Sequence, residues 1–263
     1  MTINFHQIKH YIKHYLTARR GGHGVHSPFA FQLCEEVFYN RNSFYDLDEL
    51  QKTRTSLLNS NTEIIVEDFG AGSKTFTTNK RKIKDLVAKG ISTAKQSETL
   101  YKLINFLNCG AIIELGTSIG LNTLYLAKAN KNGKVITIEG SKNLVEFATE
   151  LAKKNNLNNI EFIEAKFDEA LPTLLQNNSP SLIYIDGNHT YDATMRYFNL
   201  ALAKKDNSTV IIFDDIYWSP GMTMAWNEIK NNASVTLSID LFYFGMVFFR
   251  EELKEKVDLK LFL

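Results

Sequence analysis

Ala111-Ile-Ile-Glu-Leu-Gly-Thr-Ser-Ile-Gly120 joins a short aliphatic run to a loop that contains two glycines. The apolar run is typical of a strand that is buried on both faces of a sheet. Glycines directly after such a strand let the backbone turn tightly and approach a ligand closely. A helical pattern follows over Leu121–Ala129, and the next β-rich run ends in an acid, Glu139. An acid in that position can accept hydrogen bonds from a ribose diol, so the sequence predicts a nucleotide site here.

Short β-rich runs and longer helical patterns alternate from residue 111 onward. This alternation indicates parallel strands that are joined by right-handed crossovers. The end of the chain differs, because the runs Val235–Leu241 and Phe242–Arg250 are almost continuous and predict an antiparallel hairpin or edge pair. We therefore expect an α/β fold over residues 96–263, with a Rossmann-like, doubly wound, mostly parallel seven-stranded sheet and an antiparallel last strand. The other predicted elements are the strands Ala111–Leu115, Val135–Glu139, Ile160–Glu164, Leu182–Asp186 and Val210–Asp214, and the helices Ser141–Leu157, capped by Ser141, and Tyr191–Lys205.

Residues 1–95 follow a different pattern, which we interpret as a mainly helical N-terminal cap on the substrate side of the sheet. Phe5–Leu16 predicts an amphipathic helix, and Phe29–Phe38 predicts a second helix. The glycines and the proline of Gly21–Pro28 indicate a loop between them. A short strand, Ile64-Ile-Val66, then leads into a second glycine turn, Asp68-Phe-Gly-Ala-Gly-Ser73.

This second glycine turn competes with the first as a cofactor site, because it also follows an aliphatic strand. A glycine loop alone is weak evidence, so the elements that follow it decide. The stretches Lys80–Lys84 and Ala88–Ser92 offer neither a strand nor a strand-ending acid. We therefore assign the cofactor to residues 114–120 and interpret residues 68–73 as a tight hairpin or turn.

Charge and composition make some classes of partner less expected than others. The chain has 30 basic and 29 acidic residues and a net charge of +1, which gives no electrostatic reason to expect nucleic acid or a membrane as a partner. No apolar leader opens the sequence, and the longest apolar stretch, residues 242–249, is too short to span a bilayer. The two cysteines suggest free thiols in a reducing cytoplasm. We expect a cytoplasmic protein that acts on a small molecule, with a homodimer left open.

The loop opens with an acid, Glu114, and its glycines are spaced G-x-x-x-G. An acidic entrance suits the cationic amino-acid end of a sulfonium cofactor and repels a pyrophosphate. Residues 111–250 resemble the class I S-adenosylmethionine-dependent methyltransferases, although binding of another nucleotide is the alternative. The resemblance implies S-adenosylmethionine as the cofactor, with Asp168 as an alternative contact for adenine. The implied cofactor-binding residues are Glu114, Gly116, Thr117, Ser118, Gly120, Asn122, Glu139, Gly140, Lys166, Phe167 and Asp186.

Carboxylates also end two later strands, at Asp186 and at the pair Asp214 and Asp215. Because the carboxyl ends of parallel strands share one rim of a sheet, we expect them at the same rim as the glycine loop. Three hard oxygen ligands there suit Mg²⁺ or Ca²⁺.

Asp186-Gly-Asn-His-Thr-Tyr191 and Phe213-Asp-Asp-Ile-Tyr-Trp218 resemble the metal-dependent O-methyltransferases of the catechol and caffeoyl-CoA type. The resemblance implies that Asp186, Asp214 and Asp215 hold Mg²⁺ and that His189, together with Asp186, is catalytic. His189 takes the position of the base that deprotonates the substrate hydroxyl. The family usually has Asn at the position of Asp215 and Lys at that of His189. In the alternative, the aspartates end strands and shape a metal-free pocket.

The expected function is O-methylation of a small hydroxylated acceptor. In one version of this hypothesis the acceptor is aromatic. Tyr217, Trp218 and Met222 are candidates for a wall against that acceptor or, equally, for core positions. One alternative is metal-independent methylation of an amine, a sugar or a natural-product scaffold. Another is a non-catalytic nucleotide-binding protein of the same fold.

Five histidines lie in the cap. His6, His10 and His14 recur every four residues on the first predicted helix, where a packing or solvated face is favoured over a metal site. His23 and His26 lie in the glycine-rich loop and are candidates to reach the acceptor.

Overall fold

The computed structural model describes residues 4–67 and 79–263. The chain divides into two compact units, one formed by Arg41–Ala170 and the other by Met1–Asn40 with Leu171–Leu263. The predicted boundary between residues 95 and 96 falls near the start of a helix and does not coincide with this division. Apart from a short hairpin, the described strands form a mostly parallel, eight-stranded sheet. The Rossmann-like α/β fold is therefore confirmed.

The unit of residues 41–170 contains three parallel strands, with β4 between β3 and β5. Aliphatic side chains on the strands and on the covering helices form its core. The register places Glu139, the last residue of β4, beside Glu164, the last residue of β5. The elements are α3 (Tyr45–Leu58), β1 (Glu63–Ile65), β2 (Lys80–Lys82), α4 (Ile83–Lys89), α5 (Ala94–Leu107), β3 (Ala111–Leu115), α6 (Leu121–Ala129), β4 (Lys134–Glu139), α7 (Lys142–Lys154) and β5 (Ile160–Glu164).

The two short strands before α4 form an antiparallel pair, β1 with β2. The prediction that Lys80–Lys84 supplies no strand was wrong, because Lys80–Lys82 pairs with Glu63–Ile65. Three consecutive basic residues give no apolar pattern from which a strand could be predicted. An ion pair between Lys80 and Glu63 also joins the two strands. The glycine turn predicted at Asp68–Ser73 lies outside the described residues.

In the other unit β6 and β7 are parallel, whereas β9 is antiparallel to both β7 and β8. The hairpin predicted from residues 235–250 is thus confirmed as β8 and β9. The elements are α1 (Phe5–Thr17), α2 (Pro28–Leu33), a π-helical turn (Cys34–Phe38), α8 (Phe167–Asn177, which crosses the division), β6 (Leu182–Ile185), α9 (Tyr191–Leu202), β7 (Val210–Asp214), α10 (Pro220–Asn231), β8 (Leu237–Asp240), β9 (Phe244–Phe248) and β10 (Val257–Lys260).

The sheet differs from the prediction in its final strands. It has eight strands instead of seven, and the reversed strand is β9. A further strand, β10, follows and pairs in parallel with β8. Its sequence, Val-Asp-Leu-Lys, alternates apolar and charged residues as an edge strand does, but four residues are too few to give a clear periodic signal.

Two helix starts also show how local sequence sets the fold. The second predicted helix begins at Pro28, where the Ser27 hydroxyl accepts a hydrogen bond from the Ala30 N–H. Helix α7 begins after Ser141, but the Ser141 hydroxyl accepts from the Glu67 N–H instead of a helix amide. Ser141 therefore ties α7 to the segment after β1. Among the described helices, none is long and apolar enough to cross a bilayer.

Candidate active site

The loop between β3 and α6 has three residues in the left-handed region. Gly116, Ser118 and Gly120 have φ angles of 105°, 51° and 82°. A Cβ atom at Gly120 would also lie 2.7 Å from Cβ of Ala148 in α7, so the position requires glycine for both torsion and space. The Gly120 N–H donates to the Thr117 carbonyl at 2.8 Å, which closes the turn. The sequence requirement for glycine at residue 120 follows from close packing of the loop on α7.

Glu139, at the end of β4, holds this loop in place. One carboxylate oxygen, Oε2, accepts a hydrogen bond from the Ser118 N–H at 2.9 Å. The other, Oε1, accepts from the Ser141 N–H at 3.0 Å, across the half-buried Gly140. A carboxylate can accept about four hydrogen bonds, so these two are compatible with a ribose diol as a further donor. Glu139 thus orders the predicted cofactor loop.

Glu114 lies beneath the loop and is completely buried. Its Oε2 accepts hydrogen bonds from the hydroxyls of Thr123, at 2.6 Å, and Thr137, at 2.7 Å. Because the Thr137 hydrogen points to Glu114, the Thr117 hydroxyl donates to Thr137 at 2.6 Å. The expectation of an acidic entrance is corrected in this respect: the carboxylate lies in the interior, where two hydroxyls bond to its Oε2 and connect it to the loop.

Asn122, in the first turn of α6, belongs to a buried polar network. Its Oδ1 accepts from the Ser97 hydroxyl at 2.6 Å, and its Nδ2 donates to the Ser92 hydroxyl at 3.0 Å. Arg54 of α3 donates to the same Ser97 hydroxyl at 2.9 Å, and its guanidinium lies 5.7 Å from the centre of the Tyr125 ring. The sequence singled out Asn122 but not Arg54 or Ser97, since nothing in their local pattern marks a contact with α6.

The start of α8 comes next to the end of β4. The Ala165 N–H donates to the Glu139 carbonyl at 3.1 Å. Lys166 is exposed, with its Nζ 3.9 Å from Glu169, while Phe167 is half-buried and begins the helix. Asp168 is exposed in the first turn. The structure therefore brings the residues predicted to contact adenine close to the residue predicted to contact ribose.

A cluster of three carboxylates and one histidine lies in the other unit, after β6 and β7. The Tyr184 hydroxyl lies 3.1 Å from Oδ2 of Asp186 and 3.3 Å from Oδ2 of Asp214, and its single hydrogen serves one of them at a time. Burial raises the pKa of the Asp214 carboxyl well above its ordinary value, and the negative charges of Asp186 and Asp215 raise it further. Tyr184 was not predicted, because a tyrosine in an apolar strand is typical of the core.

Asp215 and His189 complete this cluster. Asp215 has a φ of 54°, and its N–H donates to Oδ1 of Asp214 at 2.9 Å. Burial raises the pKa of Asp215, and the nearby His189 reduces that effect. Nε2 of His189 lies 3.7 Å from Oδ1 of Asp186, and both side chains are about one quarter exposed. The predicted acid residues and the predicted base are therefore neighbours.

The three aspartates do not form a ligand set for a metal in this arrangement. Over residues 4–67 and 79–263, no group of three or more histidine, cysteine, aspartate or glutamate side chains is placed to hold an ion. Asp186 and Asp214 instead share the Tyr184 hydroxyl, and Asp214 is buried. Carboxylate oxygens are the right chemistry for Mg²⁺, but their geometry here does not fit it.

Of the residues proposed to contact the acceptor, Tyr217 and Met222 are buried. The Tyr217 hydroxyl donates to Oδ2 of Asp240 at 2.5 Å, and the Met222 sulfur accepts from the Thr194 hydroxyl at 3.2 Å. Trp218 is half-buried, and its carbonyl accepts a hydrogen bond from Asn4. Among these three side chains, only that of Trp218 is exposed enough to contact a small molecule.

The histidines of α1 contact their own unit. His6 Nε2 lies 2.9 Å from the Thr223 hydroxyl, and the His10 ring stacks on Tyr217. His14 is buried against Asp240. This stripe is a packing face, as the sequence favoured. His23 and His26 are exposed.

The sequence matches a family model described as a methyltransferase domain over residues 113–216. No curated protein matches the chain. Similar solved structures include an O-methyltransferase from Bacillus cereus in complex with SAH, at 20% identity and a TM-score of 0.52, covering 80% of this chain and 94% of that one. The O-methyltransferase TomG from Streptomyces achromogenes, involved in tomaymycin synthesis and bound to SAM, is 17% identical with a TM-score of 0.56, covering 84% and 95%.

A methyltransferase from Podospora anserina bound to SAH is 13% identical, with a TM-score of 0.56, and the similarity covers 95% of this chain and 98% of that one. The matched segment contains the glycine loop, Glu139, Asp186 and Asp214. Residues 113–216 thus match a methyltransferase domain, and the chain shares its fold with solved methyltransferases.

Proposed function

We propose that this chain transfers the methyl group of S-adenosylmethionine to a hydroxyl oxygen of a small acceptor. The observation that carries the proposal is the anchoring of the glycine loop by Glu139 inside the matched methyltransferase domain. Similar structures of O-methyltransferases that contain SAM or SAH support the choice of cofactor and of reaction.

The proposed role of the unit of residues 41–170 is to hold the cofactor. Gly116 and Gly120 let the loop backbone approach it, and Glu139 accepts hydrogen bonds from the ribose hydroxyls. The half-buried Phe167, at the start of α8, is the proposed apolar contact for adenine. Glu114 and Asn122, both buried and bonded within the protein, fix the shape of the loop.

The proposed role of His189 is to accept the proton of the acceptor hydroxyl. Asp186, 3.7 Å away, stabilises the imidazolium that forms, as a carboxylate beside a catalytic histidine does. The acceptor oxygen then bonds to the methyl carbon, and the sulfur keeps the electron pair of the broken carbon–sulfur bond. Positioning of the oxygen in line with that bond is the main requirement.

Assistance by a divalent metal at Asp186, Asp214 and Asp215 stays a prediction from the sequence. Three carboxylates support it chemically, and a bound ion would lower the pKa of the hydroxyl and orient it. The arrangement around Tyr184 favours a second version, in which His189 acts without a metal.

The proposal is tested with the purified chain, S-adenosylmethionine labelled in its methyl group, and a panel of catechols, monophenols, sugars and amines. We expect label in an ether product of a hydroxylated acceptor. Transfer to amines alone would overturn the choice of oxygen. Cofactor binding without transfer to any acceptor would support a non-catalytic protein instead.

A further inference from the structure

Helix α1 has an apolar stripe that faces solvent. Phe5 is 77% exposed, Ile8 46%, Ile12 54% and Leu16 74%. Their spacing of three and four residues places them on one side of the helix, with Tyr15 beside them. Single exposed apolar residues are common on protein surfaces, but a continuous stripe along a helix marks an interaction surface.

Edge-on ring contacts of Tyr11 with Phe242 and of Tyr15 with Phe262 attach α1 to the protein, and so does its opposite, polar side. His6, His10 and His14 lie on it and contact Thr223, Tyr217 and Asp240. An amphipathic helix of a globular domain normally packs by its apolar side. Because the contacts of α1 are reversed, its apolar stripe points outward in the folded protein.

The charged residues of the segment that carries this stripe are all basic. No aspartate or glutamate precedes Glu35, whereas Lys9 and Lys13 lie on α1 and Arg19 and Arg20 follow it. On the helix, Lys9 and Lys13 flank the side that carries Phe5 and Leu16, four residues apart from each other. The net charge of +1 for the whole chain conceals this basic segment.

These charges argue against a second copy of the chain as the partner that covers the apolar stripe. Two α1 helices in contact would bring lysines together with no acid on either helix to pair with them. A helix of 13 residues is also only about 20 Å long, which is too short to supply the ~800 Å² per partner of a standard interface.

We propose that α1 binds the surface of an anionic lipid bilayer, with its axis in the plane of the surface. Phe5, Ile8, Ile12 and Leu16 would enter the boundary between headgroups and acyl chains. Lys9, Lys13, Arg19 and Arg20 would contact the anionic headgroups. A basic amphipathic helix with exposed phenylalanine, isoleucine and leucine has the chemistry of this binding mode.

The test is co-sedimentation of the full chain with vesicles of phosphatidylcholine alone and of an equimolar mixture with phosphatidylglycerol. We expect binding to the mixed vesicles and little to the neutral ones. The double variant Lys9→Gln/Lys13→Gln should weaken that binding by about fivefold for each lysine. Its control is Lys52→Gln/Lys95→Gln, which changes the net charge equally at two exposed lysines elsewhere.

Removing the apolar stripe should have a similar effect. Ile12→Ser/Leu16→Ser should abolish sedimentation with mixed vesicles, while Met224→Ser, at a residue 54% exposed on α10, should not. Both variants should keep the wild-type circular dichroism spectrum, because the side chains are exposed. The proposal would be overturned if the wild type did not bind. It would also be overturned if Lys9→Gln/Lys13→Gln and Ile12→Ser/Leu16→Ser both bound as well as the wild type. An oligomer that Leu16→Ser dissociates would identify a second copy as the occupant instead.

Discussion

Nδ1 of His14, in α1, lies 3.3 Å from Oδ1 of Asp240, at the end of β8, and both side chains are almost completely buried. The second oxygen of Asp240 accepts the Tyr217 hydroxyl, and Nε2 of His14 donates to the Leu261 carbonyl at 3.0 Å. The polar face of α1 is therefore attached to the last strands of the sheet by buried polar contacts.

Replacing Asp240 should lower stability in a pH-dependent way. Burial alone raises the pKa of Asp240, but His14, Tyr217 and the Phe242 N–H together outweigh burial and hold the pKa below its ordinary value. The carboxylate therefore stabilises the fold above its unfolded-state pKa, and that stabilisation is lost as pH falls through the folded-state pKa. Asp240→Asn should lower the free energy of unfolding by about 3 kcal/mol at neutral pH, and by less in acid.

Urea unfolding across a pH series measures this difference. Asp258→Asn is the matched control, because Asp258 is an exposed partner of Lys230 and its loss should cost less than about 1 kcal/mol. A deficit for Asp240→Asn that does not change with pH would contradict the electrostatic explanation.

Gly120→Ala should destabilise the protein through both torsion and crowding. The residue has a φ of 82°, and its Cβ would lie 2.7 Å from that of Ala148. The expected loss is about 2–4 kcal/mol in the free energy of unfolding. Gly110→Ala is the control, since no heavy atom lies within 4 Å of a Cβ there. Adding Ala148→Gly should recover the part due to crowding, and equal losses for both glycines would refute the packing argument.

Glu139→Gln should weaken binding of S-adenosylmethionine by about ten- to a hundredfold, the scale of hydrogen bonds to a charged group. The amide would also present a donor to the N–H of Ser118 or Ser141, which disorders the loop. Glu164→Gln is the control, because Glu164 ends the neighbouring strand but is exposed. Calorimetry that gives the same dissociation constant for the wild type and Glu139→Gln would remove the ribose assignment.

His189→Ala should reduce kcat by a factor of about 10²–10⁴ if the imidazole is the general base. The variant should also lose the acidic limb of the pH–rate profile, because protonation of the base causes that limb. Asp192→Asn, an exposed change at the start of α9, is the control. A pH–rate profile with its acidic limb intact in His189→Ala would transfer the role of the base to another group.

A chelator distinguishes the metal-assisted reaction from the metal-free one. Because Asp186 and Asp214 share the Tyr184 hydroxyl, we expect turnover to persist in EDTA. Loss of turnover that Mg²⁺ restores, with cofactor binding unchanged in calorimetry, would instead support the metal site predicted from the sequence.

The sequence predicted the buried strands well. The bounds of β3 and β7 agree with the apolar runs to the residue, because strands inside a parallel sheet are apolar on both faces. The bounds of β5, an edge strand, agree as well. The strands that were missed, β2 and β10, are short and rich in charged residues.

The site was predicted as a set of residue types, without their surroundings. The sequence shows an acid at Glu114 but not the hydroxyls of Thr123 and Thr137 that make its burial tolerable. Nor does it show Tyr184 between two aspartates. Contacts of this kind depend on which distant residues the fold brings together, and no local pattern records them.

The contact of His14 with Leu261 joins positions 247 residues apart. A ribosome makes α1 before the segment that contacts it, so at roughly 5–20 residues per second tens of seconds pass before this contact can form. Residues 41–170 emerge entirely within that interval, as one compact unit. During synthesis the histidine face and the apolar stripe of α1 are both exposed. The nascent chain therefore presents more of the surface of α1 to chaperones than the folded protein does.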